Sequence, residues 1–351
     1  MSDKVLMKGN EAIAEAAIRC GCKYFFGYPI TPQNELPEYM SKMLPKVGGT
    51  FIQAESEVAA INMVLGVAAV GERVMTSSSS PGISLKTEGI SYMAGSDLPC
   101  LIVNMQRGGP GLGGIQPSQA DYFQAVKAPG HGDFKCIVFA PATVQEMVDC
   151  TFEAFDLSDV YRMPAIMLGD GALGQMMEPV CLDYNGTDKK IDKLWACGNK
   201  DGKRRIVNSL YIDPEELESI VNERYKKYDE IMKKEVRYEN YMTDDAEILI
   251  VAYGITARIA KSAIKMAREA DIKVGLLRPI TLWPFPEKEI NELAGKVKKI
   301  LTVELNMGQM VEDVKLAVNG KAPVEFAGRT GGIVITPDEV FEKIKEIGGN
   351  K

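Results

Sequence analysis

Histidine is almost missing from this chain of 351 residues: His131 is the only one. A metal site built on two histidines cannot come from this chain alone. A Ser-His-Asp arrangement would have to run through His131, and no Gly-x-Ser-x-Gly nucleophile turn exists to serve it. In the run Pro129-Gly130-His131-Gly132 the residue reads as part of a turn, so hydrolase chemistry is not expected. Clustered cysteine is missing too. The seven cysteines are scattered, and the only close pair, Cys20-Gly21-Cys22, lacks the two-residue spacer and the second pair that iron–sulfur and zinc sites use. They read as reduced thiols, several of them core-packed, with no metal expected on this chain. Long apolar runs are scarce. The longest one free of charge, residues 58–71, is rich in alanine and glycine and falls short of the ~20 residues a bilayer span needs. The opening Met1-Ser2-Asp3-Lys4 has no secretory character, so a cytoplasmic protein without a membrane is expected. A basic excess is absent as well. With net charge −7 and pI near 5.2 there is no nucleic-acid footprint.

What is present is the composition of an ordinary globular protein, 46% apolar and 25% charged. The length predicts about two domains, at roughly 100–200 residues each. Along the first 180 residues, apolar runs at 24–28, 74–76, 101–105, 136–140 and 165–168 read as buried strands. Helical patterns at 11–20, 57–70, 84–94 and 144–155 alternate with them, which predicts a doubly wound, mostly parallel α/β sheet. Residues 185–245 are polar and carry charge clusters. Within them, Asp213-Pro214-Glu215-Glu216 supplies an N-cap, a proline at N1 and a glutamate at N3. Leu217, Ile220, Val221, Tyr225, Tyr228, Ile231 and Met232 then recur at helical spacing, predicting a connector with a long amphipathic helix packed along that stripe. A second, smaller α/β domain follows over 246–351, with strands at 248–251, 273–277 and 299–303 and helices at 257–270 and 337–347. The proline-punctuated stretch 279–286 reads as a loop. The expected division is thus 1–184, 185–245 and 246–351.

Two phosphate-site look-alikes need weighing. Gly109-Pro110-Gly111-Leu112-Gly113-Gly114 satisfies Gly-x-Gly-x-x-Gly, but Ile115-Gln116-Pro117-Ser118 breaks any helix that should open there. Gly169-Asp170-Gly171 resembles the start of a magnesium–thiamine diphosphate motif, with Asn199 at a permissible distance. That motif needs a helix and a strand between its ends, and Glu178-Pro179-Val180 with the polar run after it is expected to build neither. Asp170 is therefore expected at a strand-end turn, not at a metal.

Gly27-Tyr28-Pro29-Ile30-Thr31-Pro32, Gln53-Ala54-Glu55-Ser56-Glu57-Val58-Ala59-Ala60 and Gln106-Arg107-Gly108-Gly109-Pro110-Gly111 come in this order on successive strand ends. With the 279–286 loop and Asn306-Met307-Gly308-Gln309, the chain resembles, over nearly its whole length, the α subunit of 2-oxoacid:ferredoxin oxidoreductases. The run from Arg107 to Gln119 is most similar to the branched-chain, 2-oxoisovalerate type. The resemblance implies a pyrimidine-type thiamine diphosphate domain followed by a domain like the C-terminal domain of transketolase. It implies a β subunit carrying the diphosphate and Mg2+, 4Fe-4S clusters on a ferredoxin-like δ subunit, a γ subunit, and coenzyme A and ferredoxin as reaction partners.

It also implies roles. Glu57 matches the carboxylate that hydrogen-bonds the aminopyrimidine and favours its imino tautomer, the form that takes the thiazolium proton. Glu55 is the rival, and complementing a helix N-terminus is the plain structural alternative for Glu57. Arg107 would fork onto the carboxylate of a 2-oxoacid. Thr31 would offer its hydroxyl to substrate, and Pro29, Ile30 and Ser78 would approach the cofactor, the serine run 77–80 acting through its backbone or as an N-capping loop. Leu112 and Ile115 would supply apolar pocket wall. A nicotinamide-dependent dehydrogenase using the glycine loop and a non-catalytic scaffold are the alternatives from other classes.

Overall fold

The computed structural model describes residues 4–127, 129–198 and 201–349; Asn199 lies outside them. Its main sheet has seven strands in the order Thr281–Trp283, Ile137–Phe139, Pro164–Asp170, Cys100–Gln106, Val74–Ser78, Tyr24–Gly27, Thr50–Gln53. All neighbours pair parallel except Thr281–Trp283, which runs antiparallel at one edge. Every residue of Val74–Ser78, Cys100–Gln106 and Pro164–Asp170 is buried. A parallel sheet is covered on both faces, which is why these strands read as continuous apolar runs without alternation.

All five expected strands and four expected helices of this region form, their ends displaced by a few residues. The strands Thr50–Gln53 and Val5–Lys8 and the helix Glu35–Met43 are additional. Residues 171–198 correct the sequence reading. They contain a short helix, Gly171–Gln175, and a strand, Met177–Val180, though this strand pairs only with Val5–Lys8 in a separate antiparallel ribbon.

Chain order fixes where a ligand can lie. From Tyr24–Gly27 the chain adds Thr50–Gln53 on one side and then crosses to Val74–Ser78 on the other. The connections diverge there, and a crevice opens beyond the carboxyl ends of these two strands. The helix Glu57–Ala69 makes the crossing, so its first turn sits at the crevice.

The second sheet has the order Val324–Gly328, Lys299–Glu304, Ile248–Val251, Val274–Pro279, Tyr238–Tyr241. Two strands cross the sequence segments: Tyr238–Tyr241 precedes residue 246 yet belongs here, and Thr281–Trp283 follows it yet extends the first sheet. The helix Pro214–Lys234 starts as expected, with the Asp213 carboxylate accepting from Glu215 N at 3.0 Å. Its apolar stripe is only half used. Tyr228 and Ile231 are buried, Tyr228 meeting Trp283 edge-on at 5.4 Å, while Leu217, Tyr225 and Met232 stay exposed. Among the described residues no helix is long and apolar enough to cross a membrane.

Candidate active site at the strand crossover

Ser56 caps the crossing helix, its hydroxyl accepting from Ala59 N at 3.2 Å, and the side chains on either side of this cap part. Glu55 is exposed; Glu57 is buried. Among the described residues none donates a hydrogen bond to the Glu57 carboxylate, whose oxygens therefore remain available. Ser78, at the end of its strand, is fully buried and its Oγ likewise has no partner. Gly82 brings the two together. A Cβ there would overlap Ser78 Oγ and lie 2.6 Å from Glu57 Oε1. Two unspent polar groups thus converge over a glycine at the crossover, and a buried polar group without a partner costs roughly 1–3 kcal/mol.

Arg107 is buried beside this point. Its Nη1 donates to the Thr31 carbonyl at 3.0 Å and its Nη2 to the Leu112 carbonyl at 3.1 Å, while Nε has no partner. The guanidinium therefore staples the Thr31 turn to the glycine loop. Ser80 holds Arg107 from behind, accepting from its N at 3.0 Å and donating to Asp121 Oδ2 at 2.6 Å. Asn104 also donates to Asp121, at 2.8 Å, and burial pushes this carboxyl above its ordinary pKa. The Thr31 hydroxyl accepts from Asn34 Nδ2 at 3.3 Å, Pro29 is exposed and Ile30 half-buried. The structure thus brings Thr31 to Arg107 and Ser78 to Glu57. Leu112 and Ile115 instead point to solvent, 82% and 56% exposed.

The glycine loop opens no helix. It closes on itself through Gly114 N to Gly108 O at 2.8 Å, and Gly113, at φ +58°, leaves no room for a side chain beside the Gly108 carbonyl. That geometry does not present amides to a dinucleotide. Asp170 caps the Gly171–Gln175 helix with Oδ1, which accepts from Ala172 N at 2.9 Å and Leu173 N at 3.1 Å. Burial raises its pKa to about 6. Five cysteines are buried, and burial raises their thiol pKa values.

Residues 15–247 match the family profile described as pyruvate flavodoxin/ferredoxin oxidoreductase, thiamine diphosphate-binding, and residues 246–340 match pyruvate:ferredoxin oxidoreductase core domain II. The chain belongs to the 2-oxoacid:ferredoxin oxidoreductase family. It is 50% identical over 98% of both chains to a protein of Methanothermobacter thermautotrophicus named ketoisovalerate oxidoreductase subunit VorB. It is 36% identical to the 2-oxoglutarate synthase subunit KorA of Methanothermobacter marburgensis, over 98% of this chain and 99% of the relative. A solved 2-oxoglutarate:ferredoxin oxidoreductase from Magnetococcus marinus superposes with TM-score 0.90 at 26% identity, covering 99% of this chain and 66% of that one. A split-gene transketolase shares the fold alone, with TM-score 0.58 at 13% identity. The family thus unites a thiamine diphosphate-binding domain with a transketolase C-terminal-like domain, as the five motifs imply.

Several polar residues that hold this region together were given no role by the motifs. Gln119 is one: its amide donates to the Tyr253 carbonyl at 2.9 Å and its Oε1 accepts from Leu305 N at 3.0 Å, joining the two sheets. Glu304 accepts four hydrogen bonds from Asn306, Gln309, Met310 and Val311, fixing the Asn306-Met307-Gly308-Gln309 turn against Gln119. Lys86, wholly buried in the helix Ser80–Gly95, is another. Only its place in an otherwise apolar helix face signals it in the sequence.

Proposed function

We propose that this chain is the α subunit of an oxidoreductase that converts a branched-chain 2-oxoacid, coenzyme A and oxidised ferredoxin to acyl-coenzyme A, carbon dioxide and reduced ferredoxin. The observation that carries it is the Glu57 carboxylate, buried, unpartnered and facing Ser78 across Gly82 at the strand crossover. A carboxylate held this way has its acceptor capacity free for an aminopyrimidine edge, so these residues fit thiamine diphosphate. When bound, that cofactor supplies the nucleophilic carbon and the electron sink for decarboxylation.

The chain's own residues do the rest. Glu57 takes and returns a proton at its carboxylate. Ser78, with the Pro29-Ile30 turn, shapes the cofactor cradle. Arg107 keeps its Nε free behind the Thr31 turn, which suits it to orient the 2-oxoacid carboxylate, with the Thr31 hydroxyl alongside. Asp170 uses Oδ1 to cap its helix, and among the described residues no three His, Cys, Asp or Glu side chains group around a metal position. The reading therefore assigns Mg2+ and the diphosphate to a β subunit, and the 4Fe-4S clusters to a ferredoxin-like δ subunit beside a γ subunit, in the cytoplasm. The exposed Leu112 and Ile115 become pocket wall once a partner covers them.

The ketoisovalerate name of the 50%-identical relative supports the branched-chain substrate; the 36%-identical relatives named for 2-oxoglutarate mark the second reading. A second carboxylate would need a further cation, which the loop 108–114 does not carry. One methylene in an apolar pocket is worth only about 1–3 kcal/mol, so activity should spread over several branched acids. In the assembled complex, Glu57→Gln is expected to lower kcat by at least ~10²-fold. Near-normal turnover would defeat the thiamine reading and leave a scaffold. Steady-state kcat/KM across a panel of 2-oxoacids should peak at 3-methyl-2-oxobutanoate. A preference for 2-oxoglutarate or pyruvate above about tenfold, ~1.4 kcal/mol, would overturn the substrate assignment alone.

A further inference from the structure

Away from the crevice, one cluster of cations has fewer acceptors than it needs. Asp97, just after the helix Ser80–Gly95, and Arg162, at the end of the helix Val144–Tyr161, stand before the amino ends of the strands Cys100–Gln106 and Pro164–Asp170. The crevice lies beyond the other ends, a strand of seven residues or roughly 20 Å away. Both residues sit in the left-handed backbone region, at φ +50° and +49°, where glycine is the usual choice. The helix Pro214–Lys234 brings Arg224 and Lys227 to them, and the four side chains line a cavity of about 610 Å³, within the size range of small-molecule sites. Two of the three cations are engaged. Lys227 Nζ donates to Asp97 Oδ1 at 2.8 Å and to the Arg162 carbonyl at 3.4 Å. Arg224, more than nine-tenths buried, donates from Nη2 to the Gly95 carbonyl at 3.0 Å and lies 3.5 Å from Asp97 Oδ2. Arg162 is not engaged. Its guanidinium lies over the Trp195 ring at 4.5 Å and donates no hydrogen bond among the described residues. The Nε atoms of Arg162 and Arg224 are both shut from water without a partner.

Three cations thus face one carboxylate, an excess of two positive charges. Glu223, on the same wall, is paired with Lys226, and Asp192, which also acts on Arg162, stands outside the cavity wall. Burial lowers the Lys227 pKa, and the charges of Arg224 and Arg162 push the same way against Asp97. A phosphoryl group carries about −1.5 to −2 at neutral pH, which matches the excess, and offers three acceptor oxygens to a guanidinium fork. A carboxylate brings only one charge. Asp97, Arg162 and Tyr211 also line an adjoining hollow of about 400 Å³, with room for the organic part of a phosphate ester. We propose that this cavity is a binding site for a phosphoryl group, with Arg162 as its fork and Arg224 and Lys227 as the charges around it. The site lies at the opposite edge of the sheet from the thiamine diphosphate crevice and does not rest on that reading. Its ligand ties the helix Pro214–Lys234 to the sheet.

The test is calorimetric titration of the assembled complex, saturated with thiamine diphosphate and Mg2+ so that the cofactor position is filled. The probes are inorganic phosphate, glycerol 3-phosphate and acetate at constant ionic strength. Inorganic phosphate and glycerol 3-phosphate should bind saturably and acetate should not; whichever of the two binds tighter identifies the carrier as free phosphate or an ester. Arg162→Gln should weaken that binding at least ~10-fold, the scale of one lost charge-assisted contact. Lys233→Gln, at an exposed position on the same helix as Arg224 and Lys227, should leave it unchanged. If Arg162→Gln does not assemble, Lys227→Met carries the test with the same expected loss. The absence of saturable binding by either phosphate would overturn the proposal. So would unaltered affinity in the cavity variant, an equal loss in Lys233→Gln, or acetate binding as tightly as phosphate.

Discussion

Asp170 and Glu57 both stand at the start of a helix, and what each touches separates their roles. Asp170 spends one oxygen, Oδ1, on two backbone N–H groups of its helix; Glu57 accepts from no donor among the described residues and faces the unpartnered Ser78 hydroxyl. The raised pKa of Asp170 has a definite consequence for stability. The folded chain holds the proton up to about 6, whereas the unfolded chain releases it near 3.8. Between those values the folded state binds more protons, so stability falls as pH rises through the window. Asp170→Asn keeps an oxygen for the cap but cannot ionise. Its melting temperature should exceed that of the unmodified chain above pH 6, and the gain should vanish below about pH 4. A gain independent of pH would show that ionisation of Asp170 carries no cost.

At the scale of elements, the site depends on a glycine opposite a helix cap. Ser56 starts the crossing helix where the side chain of Glu57 turns inward, and Gly82 leaves the space into which it turns. Gly82→Ala would push into both Ser78 Oγ and Glu57 Oε1, backed by the helix N-terminus. Misplacing reacting groups by about 1 Å can cost ~10²-fold, so the variant complex should need at least ~10-fold more thiamine diphosphate for half-maximal activity, or lose turnover on that scale. Cofactor titration of the assembled complex measures it. The contact between the two sheets rests comparably on Gln119. Gln119→Leu would strand the buried Leu305 N–H, at roughly 1–3 kcal/mol, while the Tyr253 carbonyl keeps the Thr256 hydroxyl at 2.8 Å. The urea midpoint of the purified chain should fall accordingly.

At the scale of the molecule, the proposed function gives the chain half of a cofactor site. The groups that fit a pyrimidine are present, and the acidic residue nearest a magnesium motif is engaged in capping. The purified chain alone is therefore expected to bind thiamine diphosphate poorly and to show no oxidoreductase activity. Calorimetric titration with Mg2+ present checks this. Tight, magnesium-dependent binding would return Asp170 to consideration as a ligand. The exposed apolar residues on the crossing helix, Val58, Met63 and Val70, fit the same expectation of a partner over this face.

What the sequence determined by itself was local. Buried parallel strands read as unbroken apolar runs, helix starts are written in caps such as Ser56 and Asp213, and the turn residues around Thr31 and Arg107 sit at strand ends, where a doubly wound sheet keeps its functional loops. The short strand Thr281–Trp283 was not legible, because a proline-rich loop becomes a strand only when another sheet offers an edge. Nor was the outward stance of Leu112 and Ile115, which follows from the closure of the loop on Gly108. The choice of Glu57 over Glu55 needed the family motif in the sequence and the burial difference in the structure. Glu304 and Lys86 lay in no motif, and Gln119 ended a motif run that gave it no role. Their roles come from groups far away in the chain, such as Tyr253, Leu305 and Thr76, and only the packed tertiary structure decides which polar side chains are shut away from water and so must find partners.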